Sequence, residues 1–194
     1  GPFCSMLLAD MGADVIKIEK PNGGDDTRRM GPPFIDTESA AFLAMNRNKR
    51  SMVLNFKEPA GVEAMKKLVK DADIVIENYR TGVMERLGLG YEDCRKVNPN
   101  IVYVALVGFG QDGPYAARPA YDDVIQGVSG MAAMQGGRSG PPAFVNASVC
   151  DKICSQVAAH STLAALFSRE KTGKGQLVEV PMFESMVGFN LIEH

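Results

Sequence analysis

The sequence predicts an α/β fold built on a doubly wound, mostly parallel sheet, and three observations carry that reading. Short β-branched runs alternate with helical segments along the chain. Two of those runs, residues 73–79 (DIVIENY) and 100–110 (NIVYVALVGFG), are apolar almost without interruption, the pattern of strands covered on both faces. The segment 58–72 (EPAGVEAMKKLVKDA) gathers Val62, Met65, Leu68 and Val69 on one helical stripe, as a helix laid on such a sheet requires.

Taken in order, a helix over 5–11 is closed by Gly12 and followed by a strand over 14–20 (DVIKIEK). Residues 21–39 are rich in Pro, Gly and Asp and read as a long surface loop. A strand over 49–56 leads to the helix 58–72, with Pro59 in its first turn, and then to the strand 73–79. Residues 81–99 read as helical with glycine breaks, ahead of the strand 100–110. Residues 121–136 begin as a helix, 152–169 form another, 171–176 (KTGKGQ) turn, and 177–183 (LVEVPMF) form the last strand. The closing FESMVGFNLIEH reads as a helix that leaves Met186, Phe189, Leu191 and Ile192 without a partner inside the chain. Nothing before the first helix supplies a strand for it to pack on, and no stop signal follows the last, so the chain is expected to be part of a longer protein.

The bulk numbers narrow the function classes. The chain has 194 residues, 45% hydrophobic, enough for one fairly large domain or one domain with part of another. A formal net charge of −2 gives no general attraction to nucleic acid or to an anionic membrane. No apolar run approaches the length of a membrane span. Cys4, Cys94, Cys150 and Cys154 are too scattered for a disulfide framework and read as reduced thiols of a cytosol-like compartment. The two histidines, His160 and His194, are too few for a zinc set with the Cys150–Cys154 pair, so no metal is expected.

The chemistry concentrates around Asp151, in VNASVCDKICSQVAAH. One acid stands where a small-residue loop becomes an apolar helix. Such a residue is a helix cap, or a carboxylate held ionised by the helix N-terminus and usable as a nucleophile where water is excluded. Cys150 and Cys154 share a helix face and read as packing thiols. His160, in an Ala/Leu-rich helix, reads as a core or interface histidine rather than a triad member. The glycines of residues 108–113 (GFGQDG) follow a strand but lack dinucleotide-fingerprint spacing.

Five stretches, in order over essentially the whole chain, resemble the class III CoA-transferases, the relatives of formyl-CoA transferase, carnitine CoA-transferase and α-methylacyl-CoA racemase. They are GPFCSMLLADMGADVIKIEKP, GDDTR (24–28), NRNKRSMVLN (46–55), ADIVIENYRTGVMERLGLGYE (72–92) and REKTGKGQLVEV (169–180). The resemblance implies that residues 1–194 are part of a large CoA-binding domain, Rossmann-like, lacking its first strand, with the last helix leading toward an absent small domain. It implies a protein about twice this length, an interlocked homodimer in the cytoplasm (the mitochondrial matrix in a eukaryote). CoA is then substrate and product, exchanged between an acyl-CoA and a small carboxylic acid, with no metal.

The resemblance assigns Asp151 as the nucleophile that passes through an aspartyl anhydride and an aspartyl-CoA thioester. Lys20 stands where the family often has Arg, near the CoA nucleotide, keeping the charge without the bidentate fork. Leu54, Asn78 and Tyr79 match residues along the adenine and pantetheine path, Arg86 matches a phosphate-binding residue, and Asp122 matches an acid of the transferase site. Racemases of the family use a His where this chain has Tyr121, a poor base near neutrality, so the transferase reading is favoured over the isomerase. A fragment that binds CoA without turnover is the remaining alternative. Residues 25–34 (DDTRRMGPPF) and 46–50 (NRNKR) also resemble the glutarate/succinyl branch.

Overall fold

The computed structural model describes residues Gly1–Glu193. The chain opens with helix α1 (Pro2–Asp10) and strand β1 (Val15–Glu19); a short 3-10 turn at Asp26–Arg29 and the hairpin β2 (Phe34–Ile35) and β3 (Glu38–Ser39) follow. Helix α2 (Ala40–Asn46), β4 (Lys49–Val53), α3 (Pro59–Asp71) and β5 (Ile74–Glu77) come next. Then α4 (Val83–Arg86) and α5 (Tyr91–Val97) precede β6 (Val102–Val107), α6 (Asp122–Val128) and α7 (Met131–Gly136). The long α8 (Val149–Thr172), β7 (Gln176–Pro181) and α9 (Met182–Asn190) complete the order.

The doubly wound, mostly parallel architecture is the expected one. Strands β5, β6 and β7 form a parallel sheet with β6 in the middle, Ile74 beside Val102 and Val102 beside Gln176. Successive side chains of β6 point to opposite faces, so its two faces build two cores. Val102 and Val104 pack with Cys4 and Leu8 of α1 and with Ala158, Ala159 and Ala165 of α8. Ile101 and Tyr103 pack on the other side with Val69 of α3, Val75 and Cys94 of α5. Strands β1 and β4 form a separate parallel pair, Val15 beside Lys49, and α1 touches both β1 and α8.

The 21–39 loop is more ordered than its composition suggests. Glu19, 4% exposed at the end of β1, receives two hydrogen bonds from Arg28, at 2.8 Å from Nε and 2.7 Å from Nη2. The Ser51 hydroxyl at 2.7 Å and the Asp25 N–H at 2.8 Å complete its shell. Arg28 also donates to Glu38 at 2.9 Å and lies over the Phe42 ring, 3.9 Å from its centroid. Charge-assisted bonds of this kind are the strong ones, and they fasten the loop to both strands of the β1–β4 pair.

Residues 40–46, unassigned from the sequence, form α2, capped by Ser39, whose hydroxyl accepts the Phe42 N–H at 3.0 Å. One expectation is corrected. Met186 is fully buried, because α9 folds back on α6 and α8 and brings it against Phe109, Ile125, Cys150 and Cys154. Phe189, Leu191 and Ile192 are exposed as expected, and His194 lies outside the described residues.

Candidate active site

In parallel α/β sheets, ligands meet the protein beyond the carboxyl ends of the strands, and each sequence-predicted residue lies there or on a helix that follows. Lys20 follows β1, Leu54 follows β4, Asn78 and Tyr79 follow β5, and Arg86 ends α4. Tyr121 and Asp122 open α6 after β6, and Asp151 sits in the first turn of α8.

The structure brings three of them into one cavity. Tyr121, Asp122 and Asp151 line a pocket of about 380 Å³ together with Gln126, Phe144 and Val145. Tyr121 is 64% exposed, and Phe144, which lines the same pocket, is exposed as well. Asp122 accepts the backbone N–H of Asp151 at 2.9 Å with Oδ2, and the Gln126 side-chain amide at 2.7 Å with Oδ1. A larger polar cleft of about 470 Å³ lies at the opposite, amino ends of the strands. It contains none of the candidate residues, and its Arg169 is engaged by Asp73 and the Asn100 carbonyl.

Asp151 is not the cap of α8. Ser148 occupies that position, the helix begins at Val149, and Asp151 is its third residue. The free N–H of Asp151 is satisfied from outside the helix, by Asp122 of α6. Its carboxyl titrates above the ordinary aspartate value, first because burial disfavours the charge and second because Asp122 is nearby. Lys152 pulls the other way without prevailing. The helix terminus therefore does not hold this carboxylate below the ordinary range.

The other five residues form a looser edge. Tyr79 lies within electrostatic reach of Lys20, Glu77 and Asp25, and burial raises its phenol first, Glu77 second. Its backbone N–H donates to Glu77 at 2.7 Å, and burial pushes Glu77 up to about 7. Lys20 pairs with Asp26 at 2.5 Å, so its ammonium already has a partner in this state. Arg86 is exposed and forms no ion pair among the described residues. Leu54 is half-buried and extends the strand ladder by donating its N–H to Glu19 at 3.0 Å. The backbone of Gly1 abuts the Asn78 side chain.

The glycine loop after β6 is unavailable as a phosphate cradle. Gly110 donates its N–H to Glu184 at 2.9 Å and Gln111 donates to Glu179 at 3.0 Å. No cluster of His, Cys, Asp and Glu suited to a metal occurs among the described residues, and no described helix is long and apolar enough to cross a membrane. Sequence reasoning missed Gln126; its signal was the four-residue spacing from Asp122 on one helix face.

Cys150 and Cys154 face away from this chemistry, into the apolar cluster with Phe109, Ile125 and Met186. Burial pushes both thiols up to about 12, so neither is a thiolate near neutrality. Replacing both with Ala should leave the turnover of the full-length protein within roughly tenfold, since neither thiol is available as a nucleophile. A loss as deep as that from removing Asp151 overturns this.

The chain matches CoA-transferase family III over residues 1–192. It is 42% identical over 187 residues to the succinyl-CoA:glutarate CoA-transferase of Mus musculus, covering 96% of this chain and 43% of that protein. It is 43% identical over 190 residues to the acetyl-CoA:oxalate CoA-transferase of Acetobacter aceti, covering 97% and 49%. The crystal structure of a CAIB/BAIF family protein from Brucella suis superposes with a TM-score of 0.93 at 39% identity, over 98% of this chain and 51% of that one. The chain thus spans somewhat under half the length of these curated relatives. With a match from the first residue almost to the last, and a shared fold at that identity, the chain belongs to CoA-transferase family III.

Proposed function

We propose that the full-length protein moves coenzyme A from an acyl-CoA to a small carboxylic acid, with Asp151 as the covalent carrier. The observation that carries this reading is the Asp151 carboxylate in the α8 first turn, lining a pocket with Asp122 fastened to its backbone. A carboxylate oxygen of Asp151 attacks the thioester carbonyl carbon. A C–O bond forms, the C–S bond breaks, CoA departs as thiolate, and a mixed anhydride remains on Asp151.

The thiolate then attacks the carbonyl carbon of Asp151 itself, expelling the donor acid as a carboxylate and leaving an aspartyl-CoA thioester. The acceptor carboxylate attacks that same carbon and releases the thiolate again. The thiolate takes the acceptor's carbonyl carbon, forming the new acyl-CoA and restoring the Asp151 carboxylate. No proton is gained or lost, and each step exchanges one activated acyl bond for another, so the thioester's energy is kept while water stays out. Lys20 and Arg86 are assigned to the CoA phosphates, Leu54, Asn78 and Tyr79 to the adenine and pantetheine path, and Tyr121 and Asp122 to the side of the reacting acids. Tyr121, where a racemase would have a histidine, favours transfer over isomerisation.

Succinyl-CoA with glutarate and acetyl-CoA with oxalate, the pairs in the relatives' names, are the first substrates to try. Incubating the full-length enzyme with the acyl-CoA, quenching with hydroxylamine and mapping peptides by mass spectrometry should find the label on Asp151. A label elsewhere, or solvent exchange of the α-proton without CoA transfer, overturns the reading.

The full-length protein is further proposed to be an interlocked homodimer, as the family resemblance implies, with the exposed Phe189, Leu191 and Ile192 covered by the rest of the chain or by the second subunit. Leaving such side chains in water costs roughly 1.5–3 kcal/mol apiece. Light scattering should give twice the chain mass for the full-length protein; a monodisperse, active monomer defeats the proposal.

A further inference from the structure

We propose that Gln126 is a positioning residue, a buried strap that holds the nucleophile's segment against Asp122; this rests on the transferase reading of Asp151. Gln126 is 2% exposed. Its Nε2 reaches Asp122 Oδ1 at 2.7 Å and the carbonyls of Val145 and Ala147 at 3.3 Å each. Its Oε1 accepts the Val145 N–H at 2.8 Å. The other oxygen of Asp122 accepts the Asp151 N–H at 2.9 Å.

One amide therefore joins three pieces of the pocket: the first turn of α6, the extended run before α8, and, through Asp122, the first turn of α8. The chemistry of the position is specific. One N–H of the carboxamide goes to Asp122 Oδ1, the other is shared by the two longer contacts to the Val145 and Ala147 carbonyls, and its oxygen takes the Val145 N–H, so a single orientation serves all of them. A glutamate would set a second carboxylate against Asp122, and an apolar residue would leave Asp122 Oδ1 and the Val145 N–H without these partners. Asp122 is thereby fixed with one oxygen on the strap and one on the nucleophile's backbone. A carrier carboxylate that must meet four successive partners at bonding distance depends on such fixation, because misplacement by about 1 Å costs on the order of 10²-fold in rate.

The test uses Gln126→Met, which keeps the length and removes every one of these hydrogen bonds, in the full-length enzyme. Its kcat should fall about 10- to 100-fold while KM for acyl-CoA stays within about threefold, the split expected of lost positioning rather than lost binding. Deuterium uptake by the peptide containing residues 145–152 should rise, with peptides from β5, β6 and β7 unchanged. Unchanged uptake, a kcat within about threefold of wild type, or a rise in KM alone overturns the proposal. Where Gln126→Met does not fold, Gln126→Glu is read against the same outcomes, since it keeps an acceptor for the Val145 N–H and turns the contact with Asp122 from a hydrogen bond into a repulsion. Wild-type CoA exchange and its loss in Asp151→Asn are measured alongside. Failure of those controls defeats the transferase reading, whereas the uptake measurement decides the strap by itself.

Discussion

Asp151→Asn should abolish CoA exchange, lowering kcat at least about 10⁴-fold, without lowering the thermal midpoint of the full-length enzyme. The amide is nearly isosteric and is no nucleophile, so the chemistry goes. The stability follows from the direction of the titration. Burial, and then Asp122, raises the Asp151 carboxyl above its ordinary value. The folded state therefore binds this proton more tightly than the unfolded one. Its contribution to stability is full at low pH and is lost as pH rises through the raised value. Asp151 is nevertheless largely open to solvent, so the neutral amide should leave the midpoint close to that of the wild type. The same titration sets the acid limb of activity: exchange should fall with decreasing pH earlier than an ordinary aspartate would require. Exchange assays and thermal unfolding on both proteins check this. Retained exchange, or a loss of exchange matched by a collapse in midpoint, defeats it.

Arg28→Met should destabilise the fold by about 3–5 kcal/mol, because it strands the buried Glu19 carboxylate without its main partner. Arg28 holds Glu19 down to about 2, with Ser51 and the Asp25 N–H assisting. A depressed carboxyl contributes stability that is present above its unfolded value and disappears as pH falls toward the folded one. The wild-type protein should thus lose this contribution between about pH 4.5 and 2, and the variant should show little of that dependence. Arg28→Lys should recover only part of the loss, since an ammonium cannot make the paired bonds to Glu19. Urea denaturation at several pH values measures all three proteins. A change below about 1 kcal/mol in the methionine variant defeats the argument.

The sequence made some of this visible and hid the rest for identifiable reasons. Strands β5 and β6 were legible because strands covered on both faces leave no polar alternation, and α3 because its stripe has the helical period. The start of α8 was less so. Ser148 and Asp151 are both acceptable caps, and the choice went to Ser148 because Val149 and Cys150 complete the first turn and Cys150 packs beneath it. The segment 21–39 was legible only as loop. Its order comes from Arg28 meeting Glu19 and Glu38, pairings across nine and ten residues that have no helical or strand period. Met186 was misjudged because α9 reads as apolar on several sides, and only its return onto α6 and α8 decides which side is covered.

The same unevenness marks the candidate site. Asp151 is legible as an acid at a helix start, Tyr121 and Asp122 only through the family resemblance, and the pocket gathers all three. Gln126 went unread because a glutamine inside a helix resembles surface polarity until the 145–147 run is seen lying across it.

The crossover from β6 to β7 has a consequence for how such proteins diversify. Tyr121, Asp122 and Asp151 all arise from this single excursion between two neighbouring strands, whereas Lys20, Leu54, Asn78, Tyr79 and Arg86 arise from the segments around β1, β4 and β5. The excursion is anchored at both ends by a ladder in which every residue of β6, from Val102 to Val107, has a partner in β7. Doubling the length of a flexible connection costs only about 0.6 kcal/mol in closure entropy. Insertions and deletions between the anchors can therefore reshape the wall proposed above to meet the acid while the edge on the other strands keeps its geometry. On the proposed assignment, a lineage built this way can explore new acids by changing one stretch of chain, leaving untouched the edge assigned to the handle common to all its thioesters.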